Sequence, residues 1–303
     1  MTITLLIALS IVAVIIRQRV TSLRKTEIEH HYLQMLLLGD SHSERYTEEV
    51  ALLANTRVKI AAVESIANLS PIIYRLESQW LDSIARSLHL TEFMLHRTRK
   101  SRGAQLILSL SLFSRIPLSD LDLKEIAPYT NSKNRMVRFF ALLTSINADQ
   151  KNILKHIAAY PSPLTPFEIS QLLGMLRQGS ITVAYQPMLS ANNENLKMLG
   201  LAVVRHFSIE GAERQLRDII AHSHLYSLRR EALYTLSSIE LTLTTPSILR
   251  TVTQMSKIER LRFLRYIASE GYSLGTISFF SPTTDRKYFD SLINSYKIKI
   301  ECS

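Results

Sequence analysis

Nine histidines and two groups of clustered basic residues are the side chains of this 303-residue chain with the clearest capacity for chemistry. Metal binding is the first possibility, because imidazoles hold zinc when several converge with Cys or carboxylate partners. His30 and His31 are adjacent, so on a helix they diverge by about 100° and do not share one ion. His89 and His96 share a helical face but lie two turns apart, and His222 and His224 flank a turn with no Cys or carboxylate pair to complete a set. All of them read as surface or capping histidines, and no metal or cofactor is expected. The one cysteine, Cys302, excludes an intramolecular disulfide and a Cys-rich zinc site. No glycine-rich phosphate loop, nucleophile elbow or His-Glu-x-x-His motif occurs. Glu48, Glu49, Asp120 and Asp122 stand near turns, where helix capping and dipole compensation account for them. The chain reads as a non-enzyme.

The basic residues are the remaining candidates. Arg97, Arg99, Lys100 and Arg102 place four charges in six residues, at a loop entering a helix. Arg229, Arg230, Arg260, Arg262 and Arg265 recur further on, within a net charge of +10 that falls entirely after residue 16. Such positions are either solvated residues paired with neighbouring carboxylates or a ridge for an acidic protein segment, lipid headgroups or a nucleic-acid backbone. As a ridge they are the candidate partner-binding positions.

The elements that must position these residues are helices. Apolar residues make up 46% of the chain, glycines number only eight and prolines nine, and strand-like alternation is confined to brief stretches at 276–280 and 296–300. A phrase with apolar residues at offsets 0, 4, 5, 8 and 11, and a basic residue at offset 1, starts at Val58-Lys59. It returns at Leu196-Lys197 and Leu228-Arg229, in degraded form at Glu259-Arg260, and its opening also appears at Val137-Arg138. Offsets 0, 4, 8 and 11 share one helical stripe. Ala62, Gly200 and Ala232 occupy offset 4, where a small side chain admits a neighbouring helix closely. Segments 211–221 and 247–255 read as the outer helices between copies. A helical period near 30 residues marks a solenoid.

The Val/Leu-Lys/Arg-x-x-Ala/Gly-Leu/Val-x-x-Ile/Leu core at 58, 196 and 228 resembles the HEAT repeat family, in its short bacterial form. The resemblance implies an α-solenoid of antiparallel helix pairs over residues 48–270, whose long concave surface docks protein partners. It also implies two alternatives, a basic HEAT-like nucleic-acid-binding or base-modifying protein and a HEAT-like lyase-type enzyme.

Residues 1–16 carry no charged side chain and are followed at once by Arg17 and Arg19, then Arg24 and Lys25. With the arginines snorkelling, residues 1–20 reach the length of a membrane span, and the basic flank places the following chain in the cytoplasm. A cleaved signal peptide or a buried core helix are the competing readings of this stretch. The organisation predicted is an all-α chain: anchor 1–20, juxtamembrane helix and linker 21–47, repeats 48–270 and a capping segment 271–303. The expected role is a single-pass, non-catalytic scaffold or adaptor at the cytoplasmic face of the cell membrane, binding acidic or membrane-associated protein partners, with nucleic acid not expected.

Overall fold

The structure is a computed structural model that describes residues 56–69, 85–86, 89–116, 118, 121–177, 184–239, 242–280 and 286–301. Among the described residues every regular element is helical. They fall into two compact units, one holding the residues up to His156 together with Arg177, the other those from Ile157 onward.

In the first unit, α1 (Thr56–Leu69) packs on α2 (Leu90–Lys100) and α3 (Gly103–Phe113), while α4 (Ala127–Thr130) and α3 both lie on α5 (Arg135–Ala148). Their core joins Val63 and Ile66 of α1, Leu90 and Met94 of α2, Phe113, Ile126 and Ala141. Asn134 starts α5 by accepting hydrogen bonds from the backbone N–H groups of Met136 and Val137, as an N-cap does. A short helix, α6 (Ile153–Ala158), follows.

The second unit contains α7 (Pro166–Arg177), α8 (Tyr185–Ser190), α9 (Glu194–His206), α10 (Glu213–His222), α11 (Tyr226–Ser237), α12 (Pro246–Thr253), α13 (Lys257–Ser269), α14 (Leu274–Phe280) and α15 (Arg286–Glu301). Helix α9 packs on α8 and α11, α10 on α11 and α12, and α13 on α14 and α15. One core runs through them, from Leu201 and Val204 by way of Leu216, Leu233, Leu236 and Val252 to Phe263, Ile267, Phe280 and Phe289. Asn193 caps α9, and Ser256 with Glu259 forms a reciprocal capping box on α13. Gly271, at φ 88°, ends α13 with Tyr272 N–H bonded to Ile267 C=O. Ser208, at φ 49°, makes the same left-handed exit from α9.

Two sequence expectations are corrected. The span expected over residues 1–20 lies outside the described residues, and among the described residues no helix is long and apolar enough to cross a membrane. Helix α15 has 16 residues, about 24 Å at 1.5 Å per residue, against a hydrocarbon core of about 30 Å. It is also interrupted by charges. Among the described residues the fold class is therefore an all-α helical bundle, and none of its helices is a transmembrane element. The α-solenoid is the second correction. The copy at 58 feeds the core of the first unit and the copies at 196 and 228 that of the second, so the copies of the phrase do not share one core. The brief alternating stretches 276–280 and 296–300 are helical, in α14 and α15, as the all-α reading requires.

Candidate functional site

The structure separates the nine basic candidates by what each touches. In the first unit, Arg97 Nε donates to Ser109 Oγ at 3.3 Å. Arg99 pairs with Glu125, a contact that raises the arginine's pKa through the hydrogen bond and the charge of the glutamate. Arg102 folds back on the carbonyls of Arg99 and Ser101, which caps the end of α2. Lys100 is exposed and makes no hydrogen bond or ion pair among the described residues.

In the second unit, Arg229 donates to Ser223 C=O and to Gln254 Oε1. Arg230 belongs to a ladder of charges across three helices. Arg205 of α9 lies 3.6 Å from Glu231 of α11, Arg230 lies 3.3 Å from Glu231, and Arg230 reaches Glu259 of α13 at 3.3 Å. Burial alone lowers the pKa of Arg230, and the two glutamates outweigh it, so the net shift is upward. The Glu259 carboxyl is held below its usual range by the hydrogen bonds of Ser256 first and of Arg230 second. Burial pushes the phenols of Tyr226, Tyr234 and Tyr266 up, and the nearby glutamates add to it. Tyr234 meets the Phe263 ring edge to face and the Tyr266 ring at a tilt, with centroids 5.3 and 5.2 Å away. Every charge of the ladder has an opposite inside it. Its pairs are partly exposed, worth at most about 1 kcal/mol each, and they fix helix register.

Helix α13 presents a different surface. Ile258, Arg262 and Arg265 follow one another at intervals of four and three residues, which puts them on one face. Ile258 is 65% exposed, and Arg262 and Arg265 are exposed as well. Among the described residues Arg262 has no hydrogen bond or ion pair, and Arg265 has only the ring of Tyr288, 5.6 Å from its guanidinium carbon. Arg260, a half-buried neighbour, also lacks a carboxylate among the described residues. Stacking holds a guanidinium plane in place while its N–H edges stay open to an oxyanion.

A groove opens elsewhere in the same unit, where α9 and α10 diverge. It encloses about 490 Å³. Leu189, Ile219 and Leu228 form its floor, and Glu194, Lys197 and Asp218 stand among its polar lining. His222 is bonded through Nδ1 to Asp218 Oδ1 at 2.9 Å. Only that last pairing, i and i+4 on a helix, was open to recognition in the sequence; the groove takes residues from four helices and the two turns between them. Among the described residues no three His, Cys, Asp or Glu side chains come together to hold a metal ion.

Compared with known proteins, the chain matches no family model, no curated protein and no solved structure. Membership of the HEAT family is corrected accordingly, since the phrase at 58, 196 and 228 is shared by amphipathic helices at large. The adaptor reading is corrected with it. A single-pass protein docking acidic or membrane-associated partners at the cytoplasmic face of the membrane needs a span and a continuous basic ridge. The described residues contain no such helix, and Arg97, Arg99, Arg102, Arg229 and Arg230 each direct a donor to a group of the chain itself. The HEAT-based nucleic-acid and lyase alternatives lose their support for the same reason.

Proposed function

We propose that this chain is a non-catalytic recognition module that takes an oxyanion-bearing ligand on the exposed face of α13. The observation that carries the reading is the acid-free pair Arg262 and Arg265, one turn apart, beside exposed Ile258 and Tyr288. Two guanidiniums at that spacing can share one phosphate, sulfate or carboxylate, or track successive ones. The aliphatic and aromatic neighbours add contact area at an interface edge. Binding of a fluorescently labelled polyphosphate by the full chain, followed by polarisation at several salt concentrations, tests it. Replacing Arg262 and Arg265 together by Ala is expected to weaken binding by about tenfold or more and to lower the salt slope. Unchanged affinity in that double variant refutes the assignment.

A further inference from the structure

We infer that the groove between α9 and α10 is a second ligand site, built for a zwitterion with an apolar body, such as a free apolar amino acid or the termini of a very short peptide. The space of about 490 Å³ falls within the range of about 300–1,000 Å³ usual for small-molecule sites. Its floor is apolar, from Leu189, Ile219 and Leu228. Its lining carries both signs of charge, and the disposition of those charges selects the ligand.

Lys197 is half-buried in α9 and has no hydrogen bond or ion pair among the described residues, although two carboxylates line the same groove. An ammonium without a carboxylate partner gains a charge-assisted hydrogen bond from one brought to it. Glu194 uses one oxygen, Oε1, to accept from Ser227 at 3.3 Å. Asp218 uses Oδ1 for His222 at 2.9 Å. Each acid therefore keeps a second oxygen for a ligand ammonium. A purely cationic ligand meets Lys197, and a purely anionic one meets Glu194 and Asp218. A molecule with both charges satisfies all three while laying its side chain on the leucine and isoleucine floor. Leu225, 45% exposed at the rim, extends that floor toward solvent.

Titration calorimetry of the full chain with L-leucine and L-phenylalanine tests this, with N-acetyl-leucine and leucine methyl ester as ligands that each lack one charge. The free amino acids are expected to bind, and either blocked derivative to bind about tenfold more weakly or worse, the worth of one charge-assisted contact. Lys197→Met is expected to abolish the preference for leucine over its methyl ester, and Asp218→Asn the preference over N-acetyl-leucine. An unchanged circular dichroism spectrum shows each variant folded, with Lys197→Gln as the replacement if Lys197→Met is not. Equal binding of blocked and free ligands, a preference that survives both substitutions, or no heat with the free amino acids overturns the inference. The polyphosphate measurement on α13 is independent of all of these outcomes.

Discussion

Gly200 is the position where substitution tests the packing most sharply. It is buried in α9, at the small place of the repeated phrase. A Cβ there would stand 2.9 Å from Met188 Cβ, 3.0 Å from Leu189 Cδ2 and 3.3 Å from Leu189 N. Carbon pairs prefer about 3.5–4.0 Å. Met188 Cβ is anchored to the backbone of α8, so relief requires the helix itself to shift. Overpacking of this kind costs about 1–3 kcal/mol. Alanine returns about 0.8–1 kcal/mol of helix propensity over glycine. The net for Gly200→Ala is a loss of about 1 kcal/mol, rising to about 2 if α8 does not yield. Gly174 in α7 supplies the control, because a Cβ there meets nothing within 4 Å and Gly174→Ala keeps the propensity gain alone. The two alanine variants are therefore separated by about 2 kcal/mol, with opposite signs relative to the parent chain. In a unit of this size that is roughly 4–8 °C in melting temperature. Thermal and urea unfolding followed by circular dichroism measure it. The chain has two units, so midpoints are compared without assuming a single two-state transition. A Gly200→Ala variant as stable as the parent, with Gly174→Ala behaving as stated, refutes the close approach of α8 and α9.

Asn195, 6% exposed, staples the turn before α7. Its Oδ1 accepts from Leu164 N–H at 2.8 Å, and its Nδ2 donates to the carbonyls of Tyr160 and Ser162 at 3.2 and 3.0 Å. Asn195→Ala strands these backbone groups; the expected loss is about 2–3 kcal/mol, with faster limited proteolysis between residues 158 and 165 as the local readout. Asp149 has a carboxyl held below its usual range by hydrogen bonds from His156 first and Asn152 second. A depressed carboxyl contributes stability that is complete above its unfolded value, about 3.9, and is lost as pH falls through the lower folded value. Asp149→Asn is thus expected to lower the melting temperature near neutral pH, and the gap from the parent to narrow as pH drops below about 4. A gap independent of pH removes the carboxylate from the account.

The helices of the second unit were largely legible in the sequence, and their partners were not. Helices α9, α11 and α13 stand where the phrase starts at 196, 228 and 259 put them, since apolar spacing and caps such as Ser256 with Glu259 are local signals. Alternation at 276–280 gave no helical signal for α14, because Ile277 and Phe280 answer to a surrounding core that no local window contains. The same limit applies to the site. Arg230 meets Glu259 across 29 residues and Arg229 meets Gln254 across 25, and no spacing rule reaches that far. The cluster at 97–102 read as a basic patch because Glu125 and Ser109, which occupy two of its arginines, come from elsewhere in the fold.

The basic residue of the repeated phrase shows how one sequence signal divides into different physical roles. Lys59, Arg138, Lys197, Arg229 and Arg260 are each the fourth residue of their helix, in α1, α5, α9, α11 and α13. A cation in the first turn opposes the helix dipole, by about 0.3–1 kcal/mol where exposed, so its recurrence needs an offsetting contact. Side chains tilt toward the helix N-terminus, which carries this position over the preceding turn. Arg138 uses the reach to donate to Ser132 and Lys133 carbonyls at 2.7 and 3.1 Å, and Arg229 does the same to Ser223. Both lock the turn that launches their own helix. Lys59 instead lies over the Phe93 ring, 5.8 Å from its centroid. Lys197 and Arg260 have no such partner among the described residues, and Lys197 faces a groove with an apolar floor and two acids in its lining. The position that serves folding at Lys59, Arg138 and Arg229 is at Lys197 left with an unused charge above that groove, and that is why a ligand carboxylate belongs there.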